Sequence, residues 1–344
     1  MATFYDRIAE NRRNSILLAV IVIALLGGLG LFIGWAATGE PAAAIPSMGI
    51  AIAVGLGASL FSFYGGDALV LRTSGAREVT DQSQPQLLNV VREMATAANV
   101  PMPKVYLIDD TAPNAFATGR DPQHASVAIT VGLLEKLDRE ELQGVMAHEL
   151  SHVRNFDIRF SLMVGVLVGS IALLADFFLR FTFWGGAGRR SRSSRSEGGG
   201  AQIVILLVAI ALAIIAPIVA RIVQLAVSRQ REFLADVSAV ELTRNPAGLQ
   251  RALAKIALDP EPLEVANRAT QHLYFENPIK KTEERASRLF STHPPVLDRV
   301  NRLRALGGMA PATSIEEVLD PALAAAMLAQ GRQGAPRAGR LGRP

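Results

Sequence analysis

Residues 142–155 read LQGVMAHELSHVRN and carry His148, Glu149 and His152 in the spacing H-E-x-x-H. On an α-helix, side chains four apart stand one above the other on one face, so two imidazoles at this spacing can reach one zinc ion. Glu149, directly after His148, can reach a water on that ion. Asp138 with Glu141 three residues on has the pattern of a capping box. Leu142, Val145, Met146, Leu150 and Val153 form an apolar stripe at helical spacing. The pattern predicts a helix whose histidines point away from that stripe, an orientation that suits the rim of a cleft rather than a core. Two surface histidines on an ordinary soluble helix would show the same spacing, so the motif alone leaves both readings open.

Composition narrows the chemistry. The 344 residues include no cysteine, which excludes disulfides and thiolate zinc sites. Any metal must be held by His and carboxylates, and only five histidines are present. Half of the residues are hydrophobic and the apolar excess falls in blocks, which points to a membrane protein. The net charge of +4 is carried mostly by arginine. In such a chain it reads as a topology signal rather than as affinity for nucleic acid. No internal repeat is visible, and nothing in the sequence sets an oligomeric state.

Residues 16–37 are uncharged and long enough to span, since about 20 apolar residues cross the hydrocarbon core. Ala36 and Ala37 would suit a cleaved signal, but the run exceeds the usual apolar region of about 7–15 residues, so an anchor is expected. Residues 45–64 form a second uncharged run. Arg12 and Arg13 precede the first run and the connection 38–44 has no Lys or Arg, which places the N-terminus in the cytoplasm. Residues 160–175 and 201–220 are the third and fourth apolar runs, the first followed by Asp176 and Arg180, the second containing Pro217. Between them, residues 185–200 are rich in Gly, Ser and Arg. If both runs span, Arg189, Arg190, Arg192 and Arg195 lie outside, against the positive-inside rule. A hairpin that does not fully span is the alternative. The close glycines Gly30/Gly34 and Gly165/Gly169 could let helices approach.

Residues 65–155 read as a soluble α+β unit, with a helix over 82–98 and strands over 104–108, 115–118 and 126–131. The segment Asn114, Ala115, Phe116, Ala117, Thr118, Gly119 lies just upstream of the metal helix. It could be a sheet edge that pairs with an extended peptide substrate, or an ordinary interior strand. After residue 227 the chain is soluble and mostly helical. Asn245 and Pro246 read as a cap and a first-turn proline opening a helix through 258, and another helix starts near Pro295. The tail from 331 onward has the composition of a disordered segment. Five regions result: a two-helix membrane anchor (1–64), the first part of a soluble domain with the H-E-x-x-H helix (65–157), a hydrophobic hairpin (158–227), the second part of that domain (228–330) and a basic tail (331–344).

A catalytic zinc commonly takes three protein ligands and keeps one position open. The best third ligand is Glu232, with Asp236 four residues later on the same helical face. Asp236 would then accept an N–H from a liganding imidazole. Asp157, Glu241 and Glu276 are rival ligands, and Glu232 and Asp236 could instead be solvated charges beside Arg229 and Arg231.

HELSH, two hydrophobic runs and then REFLADVSAV resemble the HtpX family of membrane-bound zinc metalloproteases, grouped with the CAAX prenyl proteases among the gluzincins. NAFATG, ANRATQHLYFENP (266–278) and LFSTHPP (289–295) carry the resemblance to about residue 304. It implies a multi-pass protein of the bacterial inner membrane, with its active site and both termini in the cytoplasm. Its fold would be α-helical with four hydrophobic runs and an α+β, gluzincin-like protease domain containing a small sheet. It implies one zinc held by His148, His152 and Glu232, and protein substrates, above all misfolded or damaged membrane proteins removed in quality control and stress response. Glu149 would be the general base, and His293 a second donor to the oxyanion. His124 and His272 read as structural or surface residues. Three rival readings remain. In an intramembrane protease the charged flanks of the motif would be costly to bury. A membrane scaffold would hold zinc structurally, with a closed four-ligand site. A prenyl-protein protease would need a larger membrane chamber than four runs can build.

Overall fold

The computed structural model describes residues 4–38, 40–163, 229–261 and 294–333. The third and fourth apolar runs, the Arg-rich loop, residues 266–278, His272, Glu276 and His293 lie outside them, apart from the first four residues of the third run. The chain divides into two compact units. One comprises Met1–Val70, Thr118–Asp121 and Asn155–Val227; the other comprises Leu71–Ala117, Pro122–Arg154 and Ser228–Pro344.

The first unit contains helices α1 (Phe4–Thr38) and α2 (Pro41–Thr73). They pack antiparallel through glycine: a Cβ on Gly30 would lie 2.5 Å from that of Ala51 and 2.7 Å from the carbonyl oxygen of Ser47. Among the described residues one stretch, Ala44–Thr73, is long and apolar enough to cross a membrane, and Arg13–Gly28 is a shorter apolar stretch. Large apolar side chains stand exposed along both helices, among them Leu17, Val20, Ile50, Val54 and Leu60. An apolar surface of that extent calls for a membrane or a partner to cover it. The sequence boundary at 64/65 falls inside α2, which continues to Thr73 without a break.

The second unit is mostly helical around a small mixed sheet. The strands are β1 (Arg77–Glu78), β2 (Lys104–Ile108), β3 (Ala115–Gly119, of which Thr118 and Gly119 are counted with the first unit) and β4 (Ala125–Thr130), in the order β1-β2-β4-β3. β1 runs antiparallel to β2, and β2 pairs parallel with β4, Val105 opposite Val127. Helix α3 (Pro85–Ala98) starts later than the expected residue 82, because Pro85 opens it and residues 80–84 form a turn closed through Ser83. Thr130 ends β4 and caps α4 (Val131–Lys136), its hydroxyl accepting from the N–H of Leu133.

Helix α5 (Arg139–Arg154) is the centre of this unit. Its capping box forms in both directions: Asp138 Oδ1 accepts from the N–H of Glu141, and Glu141 Oε2 from the N–H of Asp138, each at 2.9 Å. The helix packs against α3, α6 (Arg229–Thr243) and α7 (Pro246–Leu258). All five residues of its apolar stripe are buried. Two glycines set how close α7 comes. A Cβ on Gly144 would lie 2.9 Å from the Leu249 backbone, and one on Gly248 would lie 2.7 Å from the carbonyl oxygen of Glu140. Asn245 caps α7 through the N–H of Gly248, with Pro246 in the first turn, as expected. Helix α8 (Val296–Leu306) packs on α6 and α7. Helix α9 (Pro321–Gln333) takes in the first three residues of the stretch expected to be a disordered tail.

Candidate metal centre

The histidine face of α5 is more enclosed than a cleft rim, although His152 is partly exposed. His148 and Glu149 are buried, at 1% and 3% exposure, and burial extends round the helix to Glu141 and Ser151. The expectation from the helical wheel fails because α5 has neighbours on more than one side. The apolar stripe accounts for only one of them.

α6 supplies the carboxylates. Its first turn holds Glu232, and one turn later comes Asp236; both are buried rather than solvated. The Nε2 atoms of His148 and His152 approach to 3.2 Å, and the carboxylate of Glu232 lies 3.7 Å from the first and 3.5 Å from the second. The two rings stand almost perpendicular, at 87°. Three donors bound tetrahedrally at about 2.0–2.1 Å from one ion would be about 3.3 Å apart. The observed triangle therefore has the size that zinc requires, and its nitrogen and oxygen donors are ones that zinc accepts. Among the described residues this is the group of His and carboxylate side chains arranged to hold a metal. Of the rival ligands, Glu241 is exposed and Asp157, although buried, is not part of the group.

The other ring nitrogen of His148 is also engaged. Its Nδ1 lies 3.0 Å from Oδ1 of Asp236, which leaves Nε2 for the donor triangle. Asp236 is gripped in turn by Arg299 of α8, whose Nε donates to Oδ2 at 2.9 Å and Nη2 to Oδ1 at 2.7 Å. Nη1 of Arg299 is 3.8 Å from Glu232. Burial pushes the Asp236 carboxyl up, but Arg299 and then His148 outweigh it and hold the group below its ordinary range. For His148 without metal, burial opposes the charged form, yet the hydrogen bonds to Asp236 and Glu232 raise its pKa to about 9.

Arg299 was not a sequence candidate, though a signal was present. Val296, Arg299, Val300 and Leu303 follow helical spacing, so Arg299 occupies a core position of an otherwise apolar stripe. Of the remaining sequence candidates, His124 is exposed, and residues 115–119 form strand β3, at one end of the sheet order. Asn114, just ahead of it, is buried and pairs with Thr130: its N–H donates to the Thr130 hydroxyl and its carbonyl accepts from the Thr130 N–H.

The model of peptidase family M48 matches residues 81–307, a range that contains the helix α5 motif, Glu232 and Arg299. The chain belongs to peptidase family M48. It is 43% identical over 300 residues to a protease HtpX homolog of Ligilactobacillus salivarius, covering 87% of this chain and 98% of the relative. A protease HtpX homolog of Caldanaerobacter subterraneus subsp. tengcongensis is 42% identical over 308 residues, covering 88% and 98%. Crystalline Ste24p of S. mikatae is similar at 18% identity with a TM-score of 0.43, over 86% of this chain and 66% of that protein. The M48 chain is thus a membrane-associated, HtpX-like zinc metallopeptidase acting on protein, with His148, His152 and Glu232 as its zinc site.

Proposed function

We propose that this M48 peptidase is an endopeptidase that cuts misfolded or damaged membrane proteins at the cytoplasmic face of the bacterial inner membrane, in quality control and stress response. The observation that carries the reading is the triangle of buried His148, half-buried His152 and buried Glu232 in a chain with a membrane-length apolar helix. Among the described residues the site has three protein donors, the number a catalytic zinc takes when it keeps a fourth position open. Exposed Arg139 and Glu140 at the start of α5 favour an aqueous setting over an intramembrane one.

Zinc, when bound, supplies a Lewis acid that lowers the pKa of water toward about 7. Glu149 takes the proton of the attacking water as its oxygen adds to the scissile carbonyl carbon. Glu149 then delivers that proton to the amide nitrogen as the C–N bond breaks, so the products are a carboxylic acid and an amine, which ionise to carboxylate and ammonium. Asp236 accepts the Nδ1 proton of His148, which keeps the Nε2 lone pair toward the donor triangle. His293 is the second donor to the oxyanion. Strand β3, at the end of the sheet, pairs with an extended substrate backbone along Asn114, Ala115, Phe116, Ala117, Thr118 and Gly119. The four apolar runs make the chain multi-pass, with both termini in the cytoplasm and the two halves of the protease domain (65–157 and 228–330) on either side of the 158–227 hairpin.

The test pairs zinc content with cleavage of an unfolded model protein in detergent, for the wild type and Glu149→Gln. One zinc in each protein is expected, with kcat falling about 100- to 10,000-fold in the variant. Full activity in Glu149→Gln would remove Glu149 from the role of base. Zinc in both proteins with cleavage in neither would favour a scaffold.

A further inference from the structure

We propose that Arg299 is a positioning residue for the zinc site: its guanidinium fixes the Asp236 carboxylate, and through it the orientation of His148. The proposal rests on the zinc reading of the His148, His152 and Glu232 triangle. Arg299 is fully buried, and its two short bonds engage both oxygens of Asp236. A planar guanidinium bound this way fixes the plane of a carboxylate, which a single hydrogen bond does not. Oδ1 of Asp236 is then held 3.0 Å from Nδ1 of His148. A carboxylate released from the fork could rotate, and His148 would lose the acceptor that sets its ring. Asp236 also sits one helical turn after Glu232, so an unrestrained Asp236 would be a rival anion beside the ligand set.

Charge and geometry predict opposite results. As a fixed cation 3.8 Å from a zinc ligand, Arg299 repels zinc, and by charge alone its removal should tighten binding. As the residue that sets Asp236, its removal should weaken binding. A purely structural tie between α8 and α6 would lower the melting temperature and leave zinc affinity unchanged.

The experiment measures zinc dissociation constants by chelator competition, using the full chain in detergent. The proteins are wild type, Arg299→Ala, Asp236→Ala, the double variant and Arg299→Lys. Each single alanine variant is expected to weaken zinc about 10- to 100-fold. The double variant should bind no more weakly than Asp236→Ala, because both act through one carboxylate. Arg299→Lys, which keeps the charge but lacks the fork, should recover only part of the loss. Unchanged or tighter zinc in Arg299→Ala, or additive losses in the double variant, would overturn the proposal. Should Arg299→Ala fail to fold, wild-type affinity in Arg299→Lys would overturn it equally. A wild type that binds no zinc would instead defeat the zinc reading itself.

Discussion

The two ends of α5 each bury charge, and they balance it differently. At the N-terminal end, Glu141 accepts from Lys255 at 2.6 Å, from Arg251 at 3.3 Å and from the N–H of Asp138 at 2.9 Å. Glu141 together with Glu140, which lies 3.0 Å from Arg251, sets two carboxylates against two cations there, and the cluster is closed by the protein alone. Two turns later, Glu149, Glu232 and Asp236 are buried with Arg299 as the guanidinium among them. Among the described residues three carboxylates and the imidazoles of His148 and His152 face one guanidinium, and the His148, His152 and Glu232 donors are left for a cation. The first cluster joins α5 to α7 and is complete without a ligand. The second is complete only with one. A buried ionic group signals function where its charges fail to close, and signals architecture where they do.

Removing a carboxylate from each cluster separates the two cases. Glu232→Ala takes away a ligand and should weaken zinc by more than about 100-fold, beyond what the loss of an outer partner costs. Zinc content by mass spectrometry of the purified protein checks this, and a full equivalent would move the third ligand elsewhere. Glu141→Gln should leave zinc stoichiometry at the wild-type value. Its expected cost is about 2–3 kcal/mol of stability, at the low end for a broken buried pair because Arg251 is a third exposed. Thermal unfolding in detergent reads that loss. Depleted zinc in a folded Glu141→Gln protein would mean that the two ends of α5 are not independent.

A further effect, no larger than the last, comes from pH. In the metal-free protein the pKa of His148 is raised to about 9 from an ordinary value of 6.5. A raised folded pKa adds stability that is fully present below pH 6.5 and is lost as pH rises through about 9. Chelated protein should therefore melt lower at pH 9.5 than at pH 6.5, by no more than about 3 kcal/mol in stability. Zinc-loaded protein should lack this decline, since a liganding imidazole is already deprotonated. A parallel decline in both forms would place its origin outside the centre.

Much of this was legible in local sequence. The capping box, the Asn245–Pro246 start of α7 and strand β2 follow from patterns within a few residues, because caps and periodicity are local physics. Glu232 was legible as the best of several carboxylates, and only packing on α5 separates it from Glu241. The burial of His148 was not legible, since a helical wheel has no knowledge of α6 and α8. Arg299 lay hidden for a related reason: an arginine on an apolar stripe is a conflict until the carboxylate that resolves it is known. That carboxylate, Asp236, lies on another helix, 63 residues away.

The spread of the centre along the chain also has a meaning in time. His148 and Arg299 are separated by 151 residues. At about 5–20 residues per second of synthesis, α5 leaves the ribosome roughly 8–30 s before α8. During that interval the H-E-x-x-H helix exists without Glu232, then with Glu232 but without the arginine that faces Asp236. A nascent chain being threaded into a membrane is itself an unfolded polypeptide, the kind of molecule a protease attacks. By dividing its metal centre between early and late segments, the chain lacks its full set of zinc donors until Glu232 has been made, and the arginine that sets Asp236 follows later still.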